Sequence, residues 1–297
     1  MSNHDYNYKK GVKMTDSTLG GEYQDWVGRE EESTAWIAES TIGAMAATLD
    51  FKVAPHAGEA IPYGWQWLFF NPTVRRSELG TDGHPARGGF LPPVALPRRM
   101  WAGSRITYIN AIPVGIEATR RSRILKVQSK EGRRGSLCFV TVEHTTFHGN
   151  NACIVEEQDI VYREATPPGT PAPTPERYEG AAQWSQGFVA DSTLLFRYSA
   201  LTFNGHRIHY DQPYAQDEEG YPDLVVHGPL TATLLQQFVM THADGKRLKQ
   251  FDFRGVVPLL VNRPFTLEGR RDDGSTIEIW ARGPQGELAM SASATFE

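Results

Sequence analysis

Two cysteines in 297 residues are too few for a disulfide framework, which secreted domains build from several pairs. Cys138 and Cys153 fall in segments that read as neighbouring strands, so buried, reduced thiols are expected. No apolar run approaches the roughly 18 residues of a membrane span; the densest, WQWLFF at 65–70, is far shorter. The first residues, MSNHDYNYKKGVK, carry no apolar core. No secretory signal is read there, and the cytoplasm is the expected compartment. Met14 is an alternative start, with residues 1–20 expected as a disordered tail. An excess of positive charge is also missing: the formal net charge is −5, which argues against a nucleic-acid partner. Neither a glycine-rich dinucleotide fingerprint nor a Walker loop is present, and there is no His-Glu-x-x-His or paired-cysteine metal signature.

What is present begins with size and a break. At 297 residues a chain sits near the length where one core divides into two. The segment ATPPGTPAPTPERYEG, residues 165–180, holds five prolines and reads as an extended connector. Taking the linker as 165–184 leaves an N-terminal half, 21–164, and a C-terminal half, 185–297. The halves carry a weak internal repeat. RITYINAIPVGIEATRRSRIL (105–125) resembles QFDFRGVVPLLVNRPFTLEGR (250–270), with Pro113 matching Pro258, an offset of 258 − 113 = 145. Each block is followed by two alternating segments around a turn, the pattern of half-buried strands.

Helices are expected over 33–50 in the first half and over 191–203 and 229–243 in the second. Asp191 or Ser192 would cap the second, and Pro229 suits the first turn of the third. Leu230, Leu234 and Phe238 recur on one face of it. Helix and long antiparallel strands, done twice, argue an α+β fold: a curved sheet wrapped around a helix in each half, a pseudo-dimer born of duplication.

The halves are unequal in chemistry. FNGHRIHYD, residues 203–211, packs two histidines, an asparagine and an aspartate into one short segment, where the first half has aromatic and apolar residues plus arginines. Zinc ligation by His206, His209 and Asp211 is feasible by spacing, but no supporting signature is present, and no metal is expected.

LTFNGHRIHYD, VVHGPLTATLL, SELGTDGHPARGGFLPP, PRRMWAG and EEQDIVYRE together resemble the MaoC-like dehydratases. The resemblance is closest to the type 2 hydroxyacyl-thioester dehydratases and, within them, to the branch of mesaconyl-C4-CoA and itaconyl-CoA hydratases. It covers the chain from about Gly21. It implies a tandem (double) hot-dog fold and a hydro-lyase acting on the α,β double bond of an enoyl thioester. Coenzyme A would enter as part of the substrate, with no other cofactor. A dehydratase of fatty 3-hydroxyacyl thioesters, a hot-dog thioesterase and a non-catalytic acyl-CoA-binding protein are the alternatives. A homodimer is left open.

The family motif runs aspartate, then asparagine-proline, then histidine five residues after the aspartate. Here Asn204 stands at the aspartate position, His206 and Arg207 at the next pair, and His209 at the histidine. A histidine can serve both proton roles at neutral pH, and His209 is assigned that work. Asn204 can hold the water through its amide but cannot take its proton. Gly228, just before Pro229, offers an N–H at a helix start for the enolate oxygen. His206, Arg207 and His227 are expected around the substrate, with Asp211 orienting its neighbours and Tyr210 packing. Arg98 or Arg99 would bind CoA phosphates or a substrate carboxylate. Trp65, in YGWQW, would line the acyl pocket, with core packing as the competing reading.

Overall fold

The computed structural model describes residues 23–132, 135–165, 175–178, 180–272 and 275–297. The expected tail, 1–20, and the linker stretch 166–174 lie outside these residues. In the N-terminal half the elements are β1 (Glu30–Trp36), α1 (Glu39–Thr48), β2 (Arg98–Tyr108), β3 (Glu117–Gly132), β4 (Gly135–His148) and β5 (Asn151–Arg163). The C-terminal half follows with β6 (Trp184–Val189), α2 (Ser192–Leu201), α3 (Gly228–Met240), β7 (Leu248–Gly255), β8 (Pro264–Arg271), β9 (Thr276–Arg282) and β10 (Leu288–Phe296).

These strands form one antiparallel sheet in the order β1-β3-β4-β5-β2-β7-β10-β9-β8-β6. Read from its two ends, the order is the same: β6 answers β1, β8 answers β3, and so on to β7 and β2. The halves meet where β2 pairs β7, Gly103–Thr107 against Gln250–Arg254. Within that seam Ile106 faces Phe251, and 251 − 106 = 145, the offset of the repeat. A two-fold axis through this pair therefore exchanges the halves, the isologous arrangement of a dimer fused into one chain. Both residues are buried.

One expected helix is corrected. Residues 30–36, partly inside the helix expected over 33–50, form edge strand β1 along β3, and α1 covers only Glu39–Thr48. The run of three glutamates and the β-branched Thr34 suit a short, charged sheet edge better than a helix. The other two helices stand as expected. Asp191 caps α2 by accepting from the Leu194 N–H at 2.7 Å. α3 starts on Gly228-Pro229 and buries Leu230, Leu234 and Phe238 against β7–β10. Cys138 and Cys153 are not joined in a disulfide and are buried on neighbouring strands β4 and β5. Among the described residues no helix is long and apolar enough to cross a membrane.

The halves differ in what covers the sheet. In the C-terminal half the thirteen-residue α3 lies across it. Among the described residues the N-terminal half has only short 3-10 turns, at Gln24–Trp26, Trp65–Leu68 and Arg76–Glu78, besides one α-helix, α1, which packs on α2. Part of the face left open by β2–β5 lines a cavity.

Candidate active site

The chain leaves α2 through Phe203, whose backbone is left-handed at φ 49°, and enters the polar segment. Asn204 Oδ1 accepts the His206 N–H at 2.9 Å, which sets up one 3-10 turn, Arg207–His209. That turn carries His209 inward until 7% of it is exposed. Its Nδ1 lies 2.7 Å from the Val225 carbonyl oxygen. A carbonyl can only accept, so Nδ1 carries the hydrogen and Nε2 keeps its lone pair. The His227 ring stacks on His209 at 3.7 Å between centroids, and His227 Nε2 lies 2.8 Å from Ser199 Oγ. Burial, then the neighbouring His227 and His206, push His209 well below the usual histidine range. Burial takes His227 down to about 3. Both rings are neutral bases at physiological pH.

Beside His209 and Asn204 opens a cavity of about 1470 Å³. Gly228, first residue of α3, lines it, and a Cβ added there would meet nothing within 4 Å. The first N–H groups of a helix lack intrahelical partners and sit at the positive end of its dipole, so this wall can receive an oxyanion. The cavity continues past Trp67, Trp101 and Met290 to Arg120 and Glu156 on the open N-terminal face.

The N-terminal half also reaches the polar segment directly. Arg207 donates its backbone N–H to the Asp82 carbonyl at 2.9 Å and its Nη1–H to the Thr81 carbonyl at 3.0 Å. Gly83 has φ +86°, and a Cβ there would come within 1.9 Å of the Gly205 carbonyl oxygen. This close backbone approach is open only to glycine. It delivers His84, whose Nδ1 lies 3.0 Å from Asp82 Oδ2 and whose ring stands 4.1 Å from that of His206. Against the upward push of burial, the hydrogen bond and charge of His84 hold Asp82 far below the usual carboxylate range. Burial takes His84 down to about 4, opposed by its bond to Asp82.

Several expected substrate contacts are corrected. Trp65 is wholly buried, edge-on to Phe51 at 5.2 Å, and lies outside the cavity lining. Trp67 lines it instead. Residues two apart in a 3-10 turn point about 240° apart, so one ring goes to the core and the other to the cavity. His227 has no exposed surface and backs His209 rather than meeting a ligand. Arg207 pairs with Asp211 at 2.8 Å and lies over the Tyr214 ring, fastening the two halves instead of lining the cavity. Asp211 also accepts the Tyr214 N–H, an orienting role as expected. Tyr210, expected to pack, is 52% exposed.

Arg98 and Arg99 both line the cavity, yet only one is committed. Arg98 pairs with Glu219 at 2.6 Å and donates to the Glu218 carbonyl. Arg99 lies beside the Tyr162 hydroxyl and forms no ion pair among the described residues. Asp82, His84 and Glu219 were not foreseen from the sequence. The one available signal was the polar TDGHP stretch inside a segment otherwise read only as a family marker.

Residues 64–261 match the family described as hydroxyacyl-thioester dehydratase type 2. This chain belongs to that family. It is 45% identical over 274 residues to a mesaconyl-C(4)-CoA hydratase of Chloroflexus aurantiacus, covering 92% of this chain and 97% of that one. The mitochondrial hydroxyacyl-thioester dehydratase type 2 of Schizosaccharomyces pombe is 27% identical over 245 residues, 74% of this chain and 79% of its own. Among solved structures, a MaoC-like dehydratase from Phytophthora capsici superposes with a TM-score of 0.68 at 12% identity, covering 91% of this chain and 96% of that one. A Mycobacterium tuberculosis protein described as a double hotdog fold gives 0.57 at 12% identity, with the same coverage. In this dehydratase the α+β double hot-dog expectation holds, and its members act as hydro-lyases.

Proposed function

We propose that this type 2 dehydratase adds water across, or removes it from, the α,β bond of an enoyl-CoA. A short branched dicarboxylyl thioester such as mesaconyl-C4-CoA is the substrate this reading favours. One observation carries it: an imidazole on the cavity wall has Nδ1 committed to the Val225 carbonyl, leaving Nε2 as a base beside the start of α3. His209 Nε2 takes a proton as the water oxygen bonds to the β-carbon. The electron pair moves toward the thioester oxygen, which the Gly228 N–H receives. Protonated His209 then delivers the proton to the α-carbon, so the base is regenerated and one water has been added. Asn204 directs its free amide N–H groups at the water oxygen.

The dicarboxylate preference is supported by the 45% identical hydratase and by Arg99. An arginine fork without a protein carboxylate suits a substrate carboxylate, whereas Arg98 is already neutralised by Glu219. Coenzyme A takes part as the carrier of the acyl group, and no other cofactor is required by these steps.

The test is incubation with mesaconyl-C4-CoA, itaconyl-CoA, crotonyl-CoA and a medium-chain 2-enoyl-CoA. Loss of the conjugated-thioester absorbance with a mass gain of one water is expected, fastest for a dicarboxylyl substrate. Release of free CoA thiol in its place would establish a thioesterase, and unchanged acyl-CoA retained by the protein a binding module. Preference for the medium chain would move the assignment to fatty-acyl dehydration.

A further inference from the structure

A water poised for attack has two hydrogens to place, and His209 Nε2 accepts one of them. In the family motif an aspartate stands where this chain has Asn204, and a carboxylate could accept the other. Asn204 is a weaker stand-in, because its neutral Oδ1 already accepts the His206 N–H at 2.9 Å and its Nδ2 can only donate. The site as built from the polar segment therefore lacks the second basic acceptor that a carboxylate at position 204 would supply.

His206 does not fill the gap through its Nε2, which turns toward Glu219 Oε1 at 3.9 Å. The N-terminal half supplies another candidate. His84 lines the same cavity and is bonded through Nδ1 to Asp82 Oδ2 at 3.0 Å. Asp82, ionised, can only accept, so the hydrogen sits on Nδ1 and His84 Nε2 carries a lone pair. Its ring lies 4.1 Å from that of His206, which lies 5.5 Å from that of His209. The two lone-pair nitrogens thus belong to one cluster of three rings.

We propose that the Asp82–His84 dyad of the N-terminal half is the second acceptor for the attacking water. The inference rests on the hydratase reading. One water hydrogen passes to His209 Nε2 and from there to the α-carbon. The other is held by His84 Nε2 through the addition and remains on oxygen as the product hydroxyl. The water oxygen forms the new bond to the β-carbon, and the π electrons receive the proton, so atoms and charges balance. Asp82 acts through His84 as a positioning residue, keeping the lone pair on Nε2.

Asp82, His84 and His206 also offer ligand atoms within 4.8 Å of one another, an arrangement a cation could exploit. Two features oppose that use. The imidazole centroids lie only 4.1 Å apart with their planes tilted by 39°, whereas ligands of one ion converge through their edges. The Arg99 charge also bears on His84, and cation repels cation.

The experiment uses the full chain and whichever enoyl-CoA the wild type hydrates. In His84→Ala, kcat is expected to fall about 100-fold with KM within about threefold, a usual size for a lost acid–base group. Added imidazole should restore part of the loss. Asp82→Asn should cost about tenfold in kcat, since an amide no longer fixes the tautomer. Docking of the loop runs through the Thr81 and Asp82 carbonyls, so both variants keep it; His84→Gln, measured alongside, guards against misfolding of the alanine form. A His84→Ala enzyme with wild-type kcat, or a loss that appears only in KM, overturns the dyad. So does a wild-type activity that a chelator abolishes and a divalent metal restores. A wild type that hydrates no substrate fails the hydratase reading itself, a separate result.

Discussion

The two halves share a strand order and part ways over one helix. In the C-terminal half, α3 lies on an apolar floor that includes the buried Phe265, Leu267, Ile277, Ile279 and Ala281. Its start presents Gly228 to the cavity. In the N-terminal half, among the described residues, the α-helix α1 packs on α2 rather than across its own strands, and those strands carry polar groups into the opened space. Glu156 is buried there, accepting from Ser104 Oγ at 2.7 Å and Trp67 Nε1 at 3.0 Å. His144 lies between Ser122 Oγ and Gln158 Oε1. A helix brings a dipole and a fixed wall; its absence brings room and a polar lining. Duplication could supply both only once the copies were free to differ.

The contrast is open to attack at several points. The largest effect should come from His209→Ala, expected to lower kcat by about 10³-fold with the circular dichroism spectrum unchanged. His144→Ala, the matching deletion of a half-buried histidine on the other floor, should leave kcat within about tenfold. Equal losses would erase the division between a reacting half and a shaping half. Next, Arg99→Gln should cut the preference for a dicarboxylyl over a monocarboxylyl enoyl-CoA by about 10- to 100-fold, the worth of a charge-assisted hydrogen bond. Arg98→Gln should leave that ratio nearly unchanged and instead destabilise the fold, because it strands the half-buried Glu219. Steady-state kinetics on the paired substrates separates the two.

Smaller still is the stability of the polar floor. Glu156→Leu leaves the Ser104 hydroxyl and Trp67 indole without their acceptor, a loss of about 1–3 kcal/mol. Glu156→Gln keeps an acceptor in place and should be milder, with urea unfolding as the measure. A leucine variant as stable as the parent would show the floor to be dispensable. Finally, the desolvated histidines set a pH response. His84 and His144 are held down to about 4 and about 3 by burial, and His209 lies well below its ordinary value. The unfolded chain therefore binds more protons than the folded one below about pH 6.5. Stability should be full above that pH and decline as pH falls through it, by up to about 1.4 kcal/mol per pH unit for each such histidine. Activity, which needs neutral His209, should keep its acid limb below pH 6.5. A limb at the ordinary histidine value would place the ring in water.

Much of this contrast was legible along the chain because it was contiguous there. The offset of 145 between Pro113 and Pro258 survives as the register of Ile106 on Phe251. The segment 203–211 carries His209 in one local turn. What escaped was set by tertiary contact. Asp82 and His84 join the site only because Gly83 and Gly205 bring two distant loops together. Trp65 and Trp67 differ in fate through a turn too short to announce its phase in sequence. Arg207 left the ligand side because Asp211, one helical step on, and a loop 126 residues away claimed its guanidinium.

The seam between β2 and β7 has a consequence for the chain's history and handling. Its hydrogen bonds are ordinary strand pairing, so a half produced alone would display a bare edge already in register with a copy of itself. Two such copies would close into a homodimer, with the C-terminal kind carrying α3 twice and no spacious chamber, and the N-terminal kind a chamber without His209.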